Sequence, residues 1–244
     1  MLEERIGMEE VLGIIPARGG SKGIPHKNMI DLCGKPLIKY TFEAAKKAEM
    51  LTRVVVSTED ETIQQYSQKE GIEVIHRPLE LAGDSVETAD VLRHVLKYLE
   101  YSENYIPQYT MILQPTSPLR TAEDIDHCIE MIKAEQADSV VSVVQAPHNC
   151  LPEKLMEMKA ERLYFLEPDG EKYTIRQKQR NLYARNGAAI YLFKTEMFLQ
   201  LNSYYGNDCI PYIMNQNESM DIDTFDDLEI VRAWMRYKEY QLQS

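Results

Sequence analysis

The sequence predicts a doubly wound α/β fold with a mostly parallel central sheet. Two observations carry this. Five short apolar runs, Val11-Leu12-Gly13-Ile14-Ile15, Val54-Val55-Val56, Ile72 to Ile75, Met111-Ile112-Leu113 and Val140 to Val144, read as strands covered on both faces. Stretches of helical periodicity lie between them, and buried strands that alternate with amphipathic helices imply a sheet wound by crossover connections. In such sheets the ligand crevice lies at the carboxyl ends of the strands. The segments after Ile15, Val56 and Leu113 are therefore expected to meet around one crevice.

Each connecting element has its own signal. Leu37 to Ala48 reads as a helix. Val91, Leu92, Val95, Leu96 and Leu99 line one face of a second. Thr121 is placed to cap a third, with Glu123 and Asp124 in its first turn and Ile125, Ile129 and Ile132 along one side. The pattern breaks from Ala146 to Asn181, where Pro147, Pro152, Pro168 and the alternation Leu163-Tyr164-Phe165-Leu166 suggest a hairpin or extended arm. Ala188 to Phe193 returns to strand character. A final helix from Asp223 is expected to turn Phe225, Leu228, Val231 and Trp234 or Met235 inward. The expected organisation is an α/β core of residues 1–145 and 182–244 carrying a small arm, 146–181, suited to dimerisation.

Composition narrows the function. The 244 residues are 44% apolar, as a globular chain requires, and the formal net charge is −12. That charge opposes encounter with a phosphate polymer, so no nucleic-acid partner is expected. No apolar run approaches the ~18 residues of a membrane span, so no membrane partner is expected either. The acidic start, Met1 to Glu10, lacks the order of a secretion signal. Cys33, Cys128, Cys150 and Cys209 form no CxxC pair, which gives a zinc site little support and fits reduced thiols in a cytoplasmic protein.

Against this acidic background one basic cluster stands out: Arg18, Lys22 and Lys27 in Pro16-Ala17-Arg18-Gly19-Gly20-Ser21-Lys22-Gly23-Ile24-Pro25-His26-Lys27-Asn28. It follows a buried strand directly. Three glycines would let backbone N–H groups approach a ligand, and three cations supply the charge a triphosphate demands. The loop is neither a Walker A motif nor a GxGxxG fingerprint, which weakens a dinucleotide dehydrogenase. The alternative is a turn with solvated cations. A second constellation is Met220-Asp221-Ile222-Asp223: on extended backbone Asp221 and Asp223 project to one side and together suit Mg²⁺. The same residues also fit a helix start, with Asp223 or Thr224 as cap. A third is Gln114-Pro115-Thr116-Ser117-Pro118-Leu119-Arg120, in which two prolines fix a non-helical loop and Arg120 reads as structural. Arg77 offers a planar donor fork, and Thr88 suits either a nucleotide contact or a helix cap. The histidines are scattered, and none is assigned to catalysis.

The stretch Ile14 to Asn28 resembles the signature loop of the acylneuraminate cytidylyltransferases, the CMP-sialic acid synthetase family. Further matches follow in order: Ser57-Thr58-Glu59-Asp60, Arg77-Pro78-Leu79-Glu80-Leu81, Gln114 to Arg120, Arg176-Gln177, Asn186-Gly187-Ala188 and Asp221-Ile222-Asp223-Thr224. They span nearly the whole chain. The resemblance implies a Rossmann-like nucleotidyltransferase core that transfers CMP from CTP to the anomeric hydroxyl of a nonulosonic acid such as N-acetylneuraminate, with Mg²⁺, releasing pyrophosphate. It implies that Arg18 and Lys27, with Asp221 and Asp223, form the catalytic set. Arg18, Lys22, Lys27, Asn28, Arg77 and Thr88 are then expected at the nucleotide, Gln114, Arg176 and Lys154 at the acidic sugar, and Asp221 and Asp223 at the metal. Arg176, set in an alternating polar stretch with Lys178 and Arg180, also has a plain surface reading. A homodimer is expected, formed through the arm, with Lys154 or Arg176 reaching the partner's pocket.

The family's Asn-Gly-Ala-Ile-Tyr carries an extra alanine here, Asn186-Gly187-Ala188-Ala189-Ile190-Tyr191, which bears on the sugar wall and on Arg185. The Kdo cytidylyltransferases differ in the opening loop. The alternatives are legionaminic or pseudaminic acid as acceptor, GTP as donor, or a non-catalytic nucleotide-binding regulatory subunit.

Overall fold

The computed structural model describes residues 9–172, 180–185 and 189–243. The elements run β1 (Val11–Pro16), a small hairpin of β2 (Asp31–Leu32) and β3 (Lys35–Pro36), α1 (Leu37–Lys47), β4 (Arg53–Thr58), α2 (Glu61–Lys69), β5 (Glu73–His76), α3 (Thr88–Glu103), β6 (Tyr109–Ile112), α4 (Ala122–Glu135) and β7 (Ser139–Gln145). Then come the hairpin β8 (Met156–Lys159) and β9 (Arg162–Phe165), followed by β10 (Tyr183–Arg185), β11 (Tyr191–Lys194), α5 (Thr195–Leu201), β12 (Cys209–Ile213) and α6 (Phe225–Gln243).

The sheet order is β5-β4-β1-β6-β11-β7, with β10 and β12 also paired to β7. The pairs β1–β4, β1–β6, β4–β5 and β7–β12 are parallel, whereas β10 and β11 run antiparallel to their neighbours. The chain steps outward from β1 to β5 and then returns to β6 on the other side of β1. That reversal is the switch point where α/β sheets open a crevice.

Both sheet faces are covered, which is why the strands read as unbroken apolar runs. Alternate residues of β1 serve opposite layers. Val11 and Ile15 pack with Phe42, Ile125 and Ile129 from α1 and α4, while Leu12 and Ile14 pack with Leu92, Val95 and Phe198 from α3 and α5. At α4, Thr121 Oγ1 accepts from the Asp124 N–H and the Asp124 carboxylate accepts from the Thr121 N–H. Such a capping box contributes on the order of 1 kcal/mol.

The β2–β3 hairpin, β10 and three further elements escaped the pattern reading. In α2 only Ile63 and Ser67 are buried, so it carries almost no apolar stripe. The helix α5 has seven residues. Strand β12 contains Pro211 and lies at the sheet edge, where proline is tolerated. One expected core position is also corrected: Phe225, the first residue of α6, is 55% exposed, while Leu228 and Val231 are buried. Within 146–181, β8 and β9 pair antiparallel, and only with each other among the described residues.

Candidate active site

The loop after β1, the Gln114–Arg120 loop after β6 and the segment before α6 converge at the switch point. Arg18, Gly20, Ser21, Lys27, Asn28, Gln114, Asp221 and Asp223 line one cavity of about 280 Å³. Pro16, Arg18 and Gln114 are shared with a second cavity of about 220 Å³ that adds Arg77, Asp84 and Thr88. Together the two fall within the roughly 300–1,000 Å³ typical of small-molecule clefts. A larger cavity of about 640 Å³ at the root of the arm includes His148, Arg180 and Asn215, but neither the loop cations nor the acid pair.

Apolar anchors hold the cations against the acids. Ile24 of the loop and Ile222 between the two aspartates are both fully buried in one cluster with Leu37, Leu228 and Val231. With Ile222 pointing inward, Asp221 and Asp223 project into the cavity, as i and i+2 on extended backbone must. The Ile222 N–H donates to Thr116 O (2.9 Å), which docks this segment on the Gln114–Arg120 loop. Lys27 Nζ donates to Ile222 O (2.9 Å) and to Asp223 Oδ1 (2.7 Å). It therefore ties the loop to the acid segment as well as facing the cavity.

The glycines differ from expectation. A methyl group on Gly19 would lie 2.4 Å from Asp60 Oδ2, and one on Gly23 2.2 Å from Asp223 O. Both are required by close approach within the protein. The Gly19 N–H is donated to Glu59 Oε1 (2.7 Å). Only Gly20 of the three stands open toward the cavity.

Other expected contacts are partly committed. Asn28 is buried and its Nδ2 donates to Arg18 O (2.9 Å), bracing the loop from a cavity wall. The Arg77 fork is buried and already donates to Ser57, from Nη2 to the carbonyl (2.7 Å) and from Nε to Oγ (3.2 Å). Burial pushes Arg77 down to about 10. Thr88 lines the cavity and is the first residue of α3, so it is not the helix cap; Glu87 holds the N-cap position without a side-chain capping bond. Arg18 Nη1 and Lys22 Nζ both meet the Asp84 carboxylate, at 2.8 and 3.1 Å. Those contacts, Lys22 first, hold Asp84 below the ordinary carboxylate range.

Asp221 moves the other way. Burial, with the charge of Asp223 adding to it, raises its carboxyl above the usual range, against a hydrogen bond from Thr116. Thr224 caps α6, exchanging bonds with Asp227, so Asp223 is not the cap. Arg120 is buried and structural: it donates to Gln114 O (3.2 Å), Ala189 O (2.8 Å) and Thr41 Oγ1 (2.9 Å). Lys154 lies on the short turn Pro152–Lys154 and lines neither part of this crevice. Arg176 and Asn186 to Ala188 fall outside the described residues. Glu59 and Asp60, which hold the loop from the end of β4, were not singled out as site residues. Their sequence signals are their place after a buried strand and the family-like block Ser57-Thr58-Glu59-Asp60.

The sheet order and a crevice that sets cations against a carboxylate pair define an α/β protein of the nucleotidyltransferase fold. The chain belongs to the cytidylyltransferase family, whose model matches residues 12–240. It is 32% identical over 238 residues to the N-acylneuraminate cytidylyltransferase of Escherichia coli O18:K1:H7, covering 95% of this chain and 54% of that protein. The chain thus spans about half the length of the first curated relatives it matches. It is 31% identical to the CMP-N,N'-diacetyllegionaminic acid synthase of Legionella pneumophila, covering 95% of this chain and 99% of that one. In fold it is similar to CMP:2-keto-3-deoxy-manno-octonic acid synthetase complexed with CTP, with a TM-score of 0.68 at 18% identity over 94% of this chain and 99% of that one.

Proposed function

We propose that this chain transfers CMP from CTP to the anomeric hydroxyl of a nonulosonic acid such as N-acetylneuraminate and releases pyrophosphate. The observation that carries the reading is the meeting of Arg18, Lys27, Asp221 and Asp223 around one cavity. The family match and the full-length similarity to a legionaminic acid synthase support the acceptor class.

The triphosphate lies along the loop, with its base toward Arg77 and Thr88. Arg18 and Lys27 neutralise phosphate charge, Lys22 assists, and Gln114, shared by both cavities, faces the acidic sugar. Asp221 and Asp223 fit a divalent cation: they are two carboxylate oxygen donors lining the same cavity as Arg18 and Lys27. Mg²⁺ bound there supplies charge neutralisation at the phosphates. What the chain contributes is alignment of the acceptor hydroxyl with the α-phosphorus and preorganised positive charge. Asp223→Asn is expected to keep the fold, since Thr224 and Asp227 form the cap, and to lose most turnover.

The hairpin β8–β9 exposes Met158 (72%), Leu163 (61%), Tyr164 and Leu166. A lone two-stranded hairpin is marginal in water. Packing on a second copy covers this face, and through it Lys154 or Arg176 serves the partner's crevice. The cytoplasm suits the unpaired Cys33, Cys128, Cys150 and Cys209. Among the described residues no helix is long and apolar enough to cross a membrane.

Pyrophosphate release measured with CTP, UTP and GTP against N-acetylneuraminate, legionaminate and pseudaminate tests the reading. CTP-dependent release with one of these acids supports it. CTP binding without release for any of them points to a regulatory subunit, and release with GTP alone overturns the donor.

A further inference from the structure

Glu59 sits at the turn from β4 to α2 and takes no part in the chemistry above. Its side chain is only 10% exposed. One oxygen, Oε1, accepts the Gly19 N–H at 2.7 Å. The other, Oε2, is buried without a hydrogen bond and lies 4.0 Å from Arg77 Nη1. A carboxylate oxygen left in this state is costly unless a charge answers it, and Arg77 is the cation beside it. Two arms of the Arg77 fork are fixed on Ser57, so Nη1 is the arm that faces Glu59. The charge of Glu59 favours the cationic form of Arg77, whereas Arg18 opposes it.

We infer that Glu59 is a positioning residue that fixes the glycine loop and Arg77 relative to each other, so that the phosphate and base ends of the crevice act as one nucleotide site. The inference rests on the proposed function. One carboxylate spans the two halves: Oε1 holds the backbone at Gly19, next to Arg18, and Oε2 faces Arg77 across from the base. Neither contact reaches the acceptor side at Asp221 and Asp223. The dependence on Glu59 is therefore specific to the nucleotide.

The two oxygens can be separated by substitution. Glu59→Gln keeps an acceptor for Gly19 but removes the charge facing Arg77. Glu59→Ala removes both contacts, and Glu59→Asp keeps the charge on a stem one methylene too short to serve both partners. Calorimetric titration of the full chain with CTP and with inorganic pyrophosphate, together with steady-state kinetics, reads each end. Glu59→Gln is expected to weaken CTP binding and raise its KM about tenfold, with kcat and the acceptor KM within about twofold. Its pyrophosphate affinity should stay near wild type. Glu59→Ala should lose affinity for both ligands, and Glu59→Asp should fall between wild type and Gln for CTP.

A purely structural role would instead lower kcat, acceptor affinity and melting temperature together, and that pattern overturns the assignment. So does Glu59→Gln binding CTP as tightly as a wild type that binds it. A wild-type chain that binds no CTP overturns both this inference and the functional reading.

Discussion

Gly23 is the point where the cationic loop touches the backbone of the acid segment. It lies outside the left-handed region, so alanine there strains no torsion. The added methyl group would, however, sit 2.2 Å from Asp223 O. Carbon–oxygen contacts settle at about 3.3–3.6 Å, so the two segments must part by about 1 Å. The obstructing atom is backbone, and it is tied to Thr116 and Lys27 through its neighbour Ile222. Overpacking of this kind costs about 1–3 kcal/mol, which in a chain of this size lowers Tm by roughly 2–12 °C. The larger effect falls on turnover. Moving Asp223 by about 1 Å relative to Arg18 costs about 100-fold in rate where catalysis depends on position.

Thermal melts and saturating pyrophosphate-release rates measure the two effects. Gly20→Ala is the control, since nothing lies within 4 Å of a methyl group there. Its Tm should change by no more than about 2 °C. Gly23→Ala with wild-type turnover would show that contact between loop and acid segment does not set the active geometry, even if Tm falls.

Other perturbations have distinct signatures. Asp84→Asn releases Arg18 and Lys22 from their shared carboxylate. It is expected to tighten CTP binding about 2–5-fold at low ionic strength, and the gain should vanish near 0.5 M salt as screening takes over; equal affinities at low salt refute it. Asp221 has a carboxyl pKa raised in the folded chain, first by burial. Its stabilising contribution is therefore present below the unfolded value and is lost as pH rises through the folded one. Asp221→Asn should then abolish turnover yet raise Tm at neutral pH, and should flatten the decline of Tm across the weakly acidic range; a lower Tm at neutral pH refutes the sign. Arg120→Met leaves Gln114 O, Ala189 O and Thr41 without their donor. Denaturant titration should show a loss of about 3 kcal/mol or more, with kcat/KM falling as the Gln114 loop loosens. Met158→Lys with Leu163→Lys is expected to shift sedimentation from dimer to monomer, and a wild type that is already monomeric contradicts the dimer.

The sequence alone determined the layered α/β class, because a strand covered on both faces must be apolar throughout and that requirement is local. For the same reason it located the capped start of α4, the cationic turn after β1 and the alternation that turns Asp221 and Asp223 to one side. Only the tertiary structure decided what those groups touch. Lys27 and Asp223 are 196 positions apart, and no short-range pattern reports that they pair. The glycines show the same divide: composition suggested backbone laid open to a ligand, but Gly19 and Gly23 are spent on contacts with Asp60 and Asp223. Whether Asp223 or Thr224 capped α6 was undecidable from the sequence, since both residue types cap well; Asp227 settles it by bonding to Thr224. Burial of Ile24 and Ile222 in one cluster, formed only when the chain's two ends fold together, is what brings the cations and the acids to a single cavity.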